Sequence, residues 1–531
     1  MSIPTPRPGS LLLPLSASYP SSLPARVVGT GIGLLIVCAL AFINLRDYPL
    51  TWFDEGSHLH VPKTLVRYGV YADFSHDGFR YFGPTVGVGP TVLLPIAAVF
   101  KLAGIGLLQA RVVMALYLIA ASLVFFRLAH QLHGWRFAWV ATALLIATRG
   151  LALLEYGRQV LGEVPGLLFM VWGLWLWFTG WERSSWRRLA TAGLLLGAAM
   201  VTKSQYFIVL APALLFAFVS NFYYRSAPWR VLLAPGVMAA MCFGAWQAYL
   251  ILYLGPATAG ENWRWYREAM AGAALLFAPE RMTGSLLELV TPKVYFGLLL
   301  PALGYGLYLA RSRDRAGHQW ATLLAAIVVN LVWYITASIG WLRYAFPALA
   351  LGSLFVARVF HALSGGFRFE VGAMLASLRS TRLNREVLDW RAPRWQAVWA
   401  AALLALIALP LLRTVEQIVW PPFDAPLTMA AYLRSHVTVT ARIATWEEEV
   451  GFLTDHDYAY PPQAALPKAV NHIWAGGAPV SEFYDFESDS PDYVLVGPFG
   501  RWVDAYPAAK LAARYAPVYA IEGYTLYIAN R

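Results

Sequence analysis

The chain has 531 residues, 58% of them hydrophobic and only 13% charged, with a mean hydropathy of +0.52, whereas a soluble domain carries roughly 25% charged residues. That balance excludes an ordinary soluble enzyme and points to a polytopic membrane protein. The formal charge of +11 does not indicate nucleic acid, because most basic residues sit in short links between apolar segments, where they set topology.

Residues 1–26, rich in Pro and Ser and without a small-residue cleavage site, read as a cytoplasmic tail before a retained anchor. A spanning helix needs about 20 mostly apolar residues. Eleven stretches qualify, roughly 27–47, 111–130, 136–154, 163–180, 188–203, 205–221, 231–254, 292–310, 317–338, 343–363 and 396–415. The apolar segment 90–106 is interrupted by Pro90, Pro95, Gly104, Gly106 and Lys101, and is expected to lie at the surface. With the N-terminus inside, this solution gathers Arg127, Arg136, Arg183, Arg187, Arg225, Arg230, Arg311, Arg313, Arg315 and the arginines of 364–395 on the inner side, as positive-inside topology requires. Cys38 and Cys242 lie in apolar runs without supporting ligands, and Gly29-Thr-Gly-Ile-Gly33 reads as helix packing rather than a nucleotide site.

The same topology collects a second set of polar residues on the outer side. These are Asp54 and Glu55 with His58 in the first loop (48–110), Glu155, Arg158 and Glu163 after the third span, Lys203, Glu261 and Arg264 in the loop 255–291, and Arg343-Tyr344 before the tenth span. Ionisable groups at membrane depth are costly and mark substrate paths or paired sites. Each also has a plainer reading: Asp54 and Glu55 as helix-start acids, Glu55 bonded to backbone amides, Arg158 paired with Glu163, Lys203 snorkelling to the interface. Asp54 and His58 share a helical face while His60 points elsewhere, so three firm metal ligands are not evident. No metal is assigned and no cofactor is expected, a divalent ion being the less favoured alternative.

From 419 to 531 the chain changes character. Val437–Ile443, Tyr493–Val496 and Tyr524–Ile528 read as strands and Pro507–Arg514 as a helix, giving a small outer α/β domain behind a membrane domain over 27–418.

Chemically, the outer set suits an amphipathic substrate with a lipid tail, an anionic linker and a polar head. Arg158, Lys203 and Arg343 can hold a phosphate, and Asp54 can take the proton of an attacking hydroxyl in a one-step inverting transfer. A transporter or flippase, or a transfer of another group from a lipid carrier, is the alternative; no inverted repeat and no phosphate-binding glycine loop favours it.

Taken together, Trp52-Phe-Asp-Glu-Gly56, Gly89-Pro-Thr-Val-Leu-Leu-Pro95, Tyr156-Gly-Arg-Gln-Val-Leu-Gly-Glu-Val-Pro165, Thr202-Lys-Ser204 and Leu342-Arg-Tyr-Ala-Phe-Pro347 resemble the GT-C membrane glycosyltransferases. The nearest group is the bacterial relatives of the dolichyl-phosphate-mannose protein mannosyltransferases and of the aminoarabinose transferase that modifies lipid A. The resemblance implies a bacterial inner-membrane enzyme with its active site outside, a polyprenyl-phosphate sugar donor, an envelope lipid, glycan or protein acceptor, and membrane lipids as partners. It carries the first-loop acid over to Asp54, the acid after the third span to Glu155 or Glu163, and the basic positions to Lys203 and Arg343. Many members have Lys-Pro-Pro where this chain has Arg80-Tyr-Phe-Gly-Pro84, which makes Arg80 the candidate replacement for that lysine.

Overall fold

The structure, a computed structural model, describes residues 23–183, 185–369, 372–374 and 392–530. The tail to residue 22, with Arg379, Arg382, Arg385 and Arg391 of the link 364–395, lies outside the described residues. The chain is a polytopic, mostly helical membrane protein with a small C-terminal α/β unit. Among the described residues seven helices are long and apolar enough to cross a membrane, and four more apolar helices are shorter.

Helix α1 (Leu23–Phe42) leads to α2 (Phe53–Tyr68), the hairpin β1 (Asp73–Ser75) and β2 (Gly78–Arg80), the turn α3 (Gly83–Val86) and α4 (Pro90–Ala103). Then come α5 (Leu107–His133), α6 (Trp135–Ala147), the short α7 (Leu153–Tyr156), α8 (Glu163–Arg183), α9 (Trp186–Thr202), α10 (Ser204–Tyr224) and α11 (Trp229–Leu254). The amphipathic α12 (Pro256–Ala273) and α13 (Pro279–Glu288) precede α14 (Leu299–Leu309), α15 (Arg315–Ala337), α16 (Phe346–Leu363) and α17 (Pro393–Val419).

Three expectations change. Segment 90–106 is not broken up: α4 is a continuous helix of 14 residues. Pro90 sits in the first turn, where a missing N–H costs nothing. Pro95 cannot bond the Thr91 carbonyl, and the Tyr117 hydroxyl donates to it instead at 2.5 Å. At roughly 21 Å long, α4 still falls short of a hydrocarbon core of about 30 Å. The stretches 136–154 and 292–310 are also shorter helices than their hydropathy suggests, with α6 stopping at Ala147 and α14 starting only at Leu299 after a 3-10 turn.

The ends of these helices form two layers. On one side the end of α5 and the end of α16 meet through His133 and His361, ring centroids 4.3 Å apart, and Arg136 donates to the Phe367 carbonyl at 3.3 Å. On the other side the links after α1, α6, α9 and α15 converge beneath the C-terminal unit.

That unit contains α18 (Ala425–His436), β3 (Arg442–Thr445), α19 (Glu448–Leu453), β4 (Asp457–Ala459), α20 (Ala465–Ala475), β5 (Tyr493–Val496), α21 (Pro498–Trp502), α22 (Ala508–Arg514), β6 (Tyr515–Ile521) and β7 (Tyr524–Ala529). Its five-stranded sheet has the order β4-β3-β5-β7-β6, parallel through β4, β3 and β5 and antiparallel through β5, β7 and β6. Side chains alternate as a two-sided sheet demands: Ile443, Leu495 and Leu526 enter one core, Ala444, Val494 and Val496 the other. The expected strand at 437–443 begins only at Arg442, because the Val437 amide still closes α18 on the Leu433 carbonyl at 3.0 Å.

The unit is clamped onto the first loop. The hairpin covers the edge strand β4, with the His76 amide donating to the Tyr458 carbonyl at 2.7 Å, which removes an exposed sheet edge. Phe53 stacks on Phe499 at 3.6 Å. A Cβ at Gly56 would lie 2.2 Å from the Glu449 backbone nitrogen, so only glycine lets α2 approach α19 this closely.

Candidate active site

Four helix ends carry the charged groups that meet under the C-terminal unit. Asp54 lies in the first turn of α2, Glu163 opens α8, Lys203 joins α9 to α10 in extended conformation (φ −157°, ψ 135°), and Arg343 sits in a 3-10 turn just before α16. Carboxylates at the first turns of α2 and α8 are favoured there by the helix dipole. The approach of α4 to α9 next to Lys203 requires Gly89, whose Cβ would fall 1.9 Å from the Val201 carbonyl oxygen.

Arg343 is the hub. Its Nη1 donates to Asp54 Oδ2 and its Nε to Glu163 Oε1, both at 2.5 Å. The same Glu163 oxygen accepts from Lys203 Nζ. Along this relay exposure rises from 0% for the Glu163 side chain to 10% for Arg343, 20% for Lys203 and 33% for Asp54. Glu163 is therefore the buried anchor and Asp54 the member most open to solvent. Trp52 and Tyr156 bracket the guanidinium, with ring centroids 5.3 and 5.9 Å away, holding the fork in place while leaving an edge open.

Arg343, Trp52 and Tyr156 border a cleft of about 610 Å³ that also reaches Glu155, Glu288 and Lys293. A cavity of that size accommodates a small polar ligand with part of an apolar tail. Trp341 on the rim contacts Trp474 and Trp502 of the C-terminal unit at 5.1 and 6.1 Å, so the α/β unit buttresses the rim. His58, one turn beyond Asp54, donates its Nδ1–H to the Val160 carbonyl at 2.7 Å; burial pushes its pKa down, which keeps the ring neutral.

Several expected site residues lie elsewhere. Glu55 is fully buried in a two-pronged pair with Arg111 (2.9 and 2.6 Å) and also accepts from the Val160 amide. It faces away from the cleft. Arg158 is equally buried and donates to the carbonyls of Leu40, Ile43 and Tyr48 at 2.6, 2.6 and 3.1 Å. With its nitrogens spent on backbone it has none to offer a phosphate, and it does not pair with Glu163. Glu261 and Arg264 bond each other at 3.3 Å on the exposed face of α12. Arg80 stands beside Asp73 and Glu448, away from the Arg343 hub. Tyr344 packs on Trp333 at 5.4 Å and its carbonyl accepts from Asn330. Lys293 and Glu288, 3.8 Å apart at the cleft, were not singled out by sequence, where nothing separates them from other loop charges; Trp52 and Tyr156 were visible only as parts of motifs.

The architecture has relatives of known structure. ArnT from Cupriavidus metallidurans, solved with undecaprenyl phosphate bound, superposes with a TM-score of 0.64 at 15% identity, covering 95% of this chain and 98% of that one. The archaeal oligosaccharyltransferase AglB from Archaeoglobus fulgidus, in complex with an inhibitory peptide and a dolichol-phosphate, gives 0.57 at 14% identity over 96% of this chain and 74% of that one. The chain has the GT-C glycosyltransferase fold. Residues 88–246 of this GT-C chain also match the family model for dolichyl-phosphate-mannose-protein mannosyltransferases. Among the curated proteins no sequence matches. The matched segment runs from the start of α4 into α11 and so holds Glu163 and Lys203, but neither Asp54 nor Arg343.

Proposed function

We propose that the protein is an inverting glycosyltransferase that moves a sugar from a polyprenyl-phosphate carrier to a hydroxyl on the outer side of a bacterial inner membrane. The observation that carries this reading is the Asp54–Arg343–Glu163–Lys203 relay. Two cations and two carboxylates meet at helix ends on one face, beside an open cleft, on a fold whose relatives were solved with lipid phosphates.

As it stands the relay is balanced, two positive charges against two negative. A donor phosphodiester entering the cleft competes with Asp54 for Arg343 Nη1, while Glu163 keeps Arg343 and Lys203 in place from below. Displacement frees the Asp54 carboxylate. It then takes the proton of the acceptor hydroxyl as that oxygen bonds to the anomeric carbon and the bond from that carbon to the phosphate oxygen breaks, with inversion. The carrier leaves as a phosphate monoester whose added negative charge rests on Arg343 and Lys203, so the clamp is stronger for the transition state than for the bound donor. Trp52 and Tyr156 flank the sugar's path, and the neutral His58 offers a hydrogen bond without adding charge.

Sidedness follows from the same reading. Residues 48–110, 255–291 and the unit from 419 onward face outward, and the basic links face the cytoplasm. A flippase requires ionisable groups distributed through the depth of the helices, whereas the relay's four members cluster at helix ends. The test is a panel of radiolabelled polyprenyl-phosphate sugars presented to purified protein in lipid with a host-envelope extract, following sugar release and transfer. Transfer that disappears in Asp54→Asn supports the assignment. Folded protein that turns over no donor, or an Asp54→Asn variant with normal turnover, contradicts it.

A further inference from the structure

A second cluster of ionisable groups sits on another face of α2, where the first loop meets the C-terminal unit. His60 is six positions after Asp54, about 120° around the helix. It faces Asp73 of the hairpin and Glu448 at the start of α19, and all three are buried. His60 Nδ1 is 3.7 Å from Asp73 Oδ1, His60 Nε2 is 3.7 Å from Glu448 Oε2, and the three side chains offer ligand atoms within 4.8 Å of one another. The two 3.7 Å approaches use opposite ring nitrogens, of which an ion takes one. Tetrahedral zinc ligands stand roughly 3.3–3.6 Å apart, so the Glu448 carboxylate must turn toward the Nδ1 side, within the 4.8 Å that separates the ligand atoms, to close the shell.

Two further features point to an ion. Glu448 Oε2 is buried and accepts no hydrogen bond, a costly state for a carboxylate oxygen unless a cation meets it. His60 Nε2 lies 2.9 Å from the main-chain carbonyl of Glu448. A ring proton donated there leaves the Nδ1 lone pair on the Asp73 side, which is how metal-bound histidines are ordinarily oriented by their surroundings. Arg80 does not fill the role. Its Nε is 3.4 Å from Asp73 Oδ2 and its Nη2 is 4.0 Å from Glu448 Oε1, its Nε and Nη1 make no hydrogen bond, and its guanidinium lies 5.3 Å from the Tyr460 ring centre. It offsets charge at a distance and leaves the centre of the cluster to a smaller cation. Asp73, Glu448 and a divalent ion neutralise one another, with a fourth position for water.

We propose that His60, Asp73 and Glu448 form a structural site for a zinc-class divalent cation that clasps α2 and the hairpin to the C-terminal unit. The site is separate from the Arg343 hub and takes no part in transfer; it fixes the helix that presents Asp54. Sequence weighs His60 as a ligand only beside Asp54 and His58; the acids that meet it here come from the hairpin and from Glu448, 388 residues away.

The test uses the full-length protein in lipid nanodiscs, stripped with a chelator and titrated with zinc, reading bound metal by mass spectrometry and the unfolding midpoint by calorimetry. Wild type is expected to take up one equivalent per chain with a rise in midpoint. His60→Ala and Asp73→Asn should lose both the equivalent and the rise, and Asp54→Asn should keep both. Glu448→Gln, which preserves volume, carries the same prediction if His60→Ala does not fold. Stripped wild type that binds no zinc, or uptake that survives these substitutions, overturns the proposal.

Discussion

Asp54 and Glu55 are adjacent in the chain and opposite in environment. Glu55 is sealed, with both oxygens held by Arg111 and a third bond from a backbone amide. Asp54 has a single cationic partner among the described residues, the Arg343 that borders the cleft, and a third of its side chain is exposed. The basic residues divide the same way. Arg111 and Arg158 spend their donors on Glu55 and on five backbone carbonyls between Leu40 and Tyr48, whereas Arg343 lines the cleft and Lys203 is partly exposed behind it, both bonded to carboxylates. At this interface a charged residue is structural when its bonds are saturated from within, and available for chemistry when one bond can be exchanged for a ligand's.

That contrast can be broken or sharpened by substitution. Asp54→Asn should lower turnover by about 10²–10⁴-fold, the range for loss of a positioned base, while donor binding and the unfolding midpoint stay near wild type; steady-state transfer beside a donor-binding assay separates the two. Arg111→Met should leave Glu55 as an uncompensated buried charge and destabilise the fold by about 3–5 kcal/mol, read as a fall in midpoint. Adding Glu55→Gln should recover much of it. Arg343→Lys keeps the charge but loses the fork between Asp54 and Glu163, and a fall of about tenfold in kcat/KM is expected, with KM rising. Arg264→Ala, at an exposed pair, should change stability by less than about 0.5 kcal/mol and leave transfer unaltered.

Much of the membrane architecture was legible because hydropathy and arginine placement are local signals. They place the helices and draw the outer polar set together. Helix ends were less legible. The α4 segment reads as broken because the Tyr117 hydroxyl that satisfies Thr91 is remote in sequence, and β4 and β6 carry little pattern, the first having three residues and the second being an edge strand with a single buried one. Within the site, Asp54, Glu163, Lys203 and Arg343 were found as charges at helix ends, and the structure brings all four together. Glu55 and Arg158 look the same in sequence. Only their partners, 56 and more than 100 residues away, reveal that they hold the first loop in shape. The His60 cluster was invisible for the same reason, since its acids arrive from the hairpin and the C-terminal unit.

The most direct measurement is a single-turnover transfer assay run side by side on wild type, Asp54→Asn and Glu55→Gln, each preloaded with a polyprenyl-phosphate sugar. The account predicts that Asp54→Asn holds the donor and does not transfer it, while Glu55→Gln, once folded, transfers at a rate within a few-fold of wild type. Transfer retained by Asp54→Asn and abolished in folded Glu55→Gln would contradict it, and would move the base from the open relay to the sealed pair.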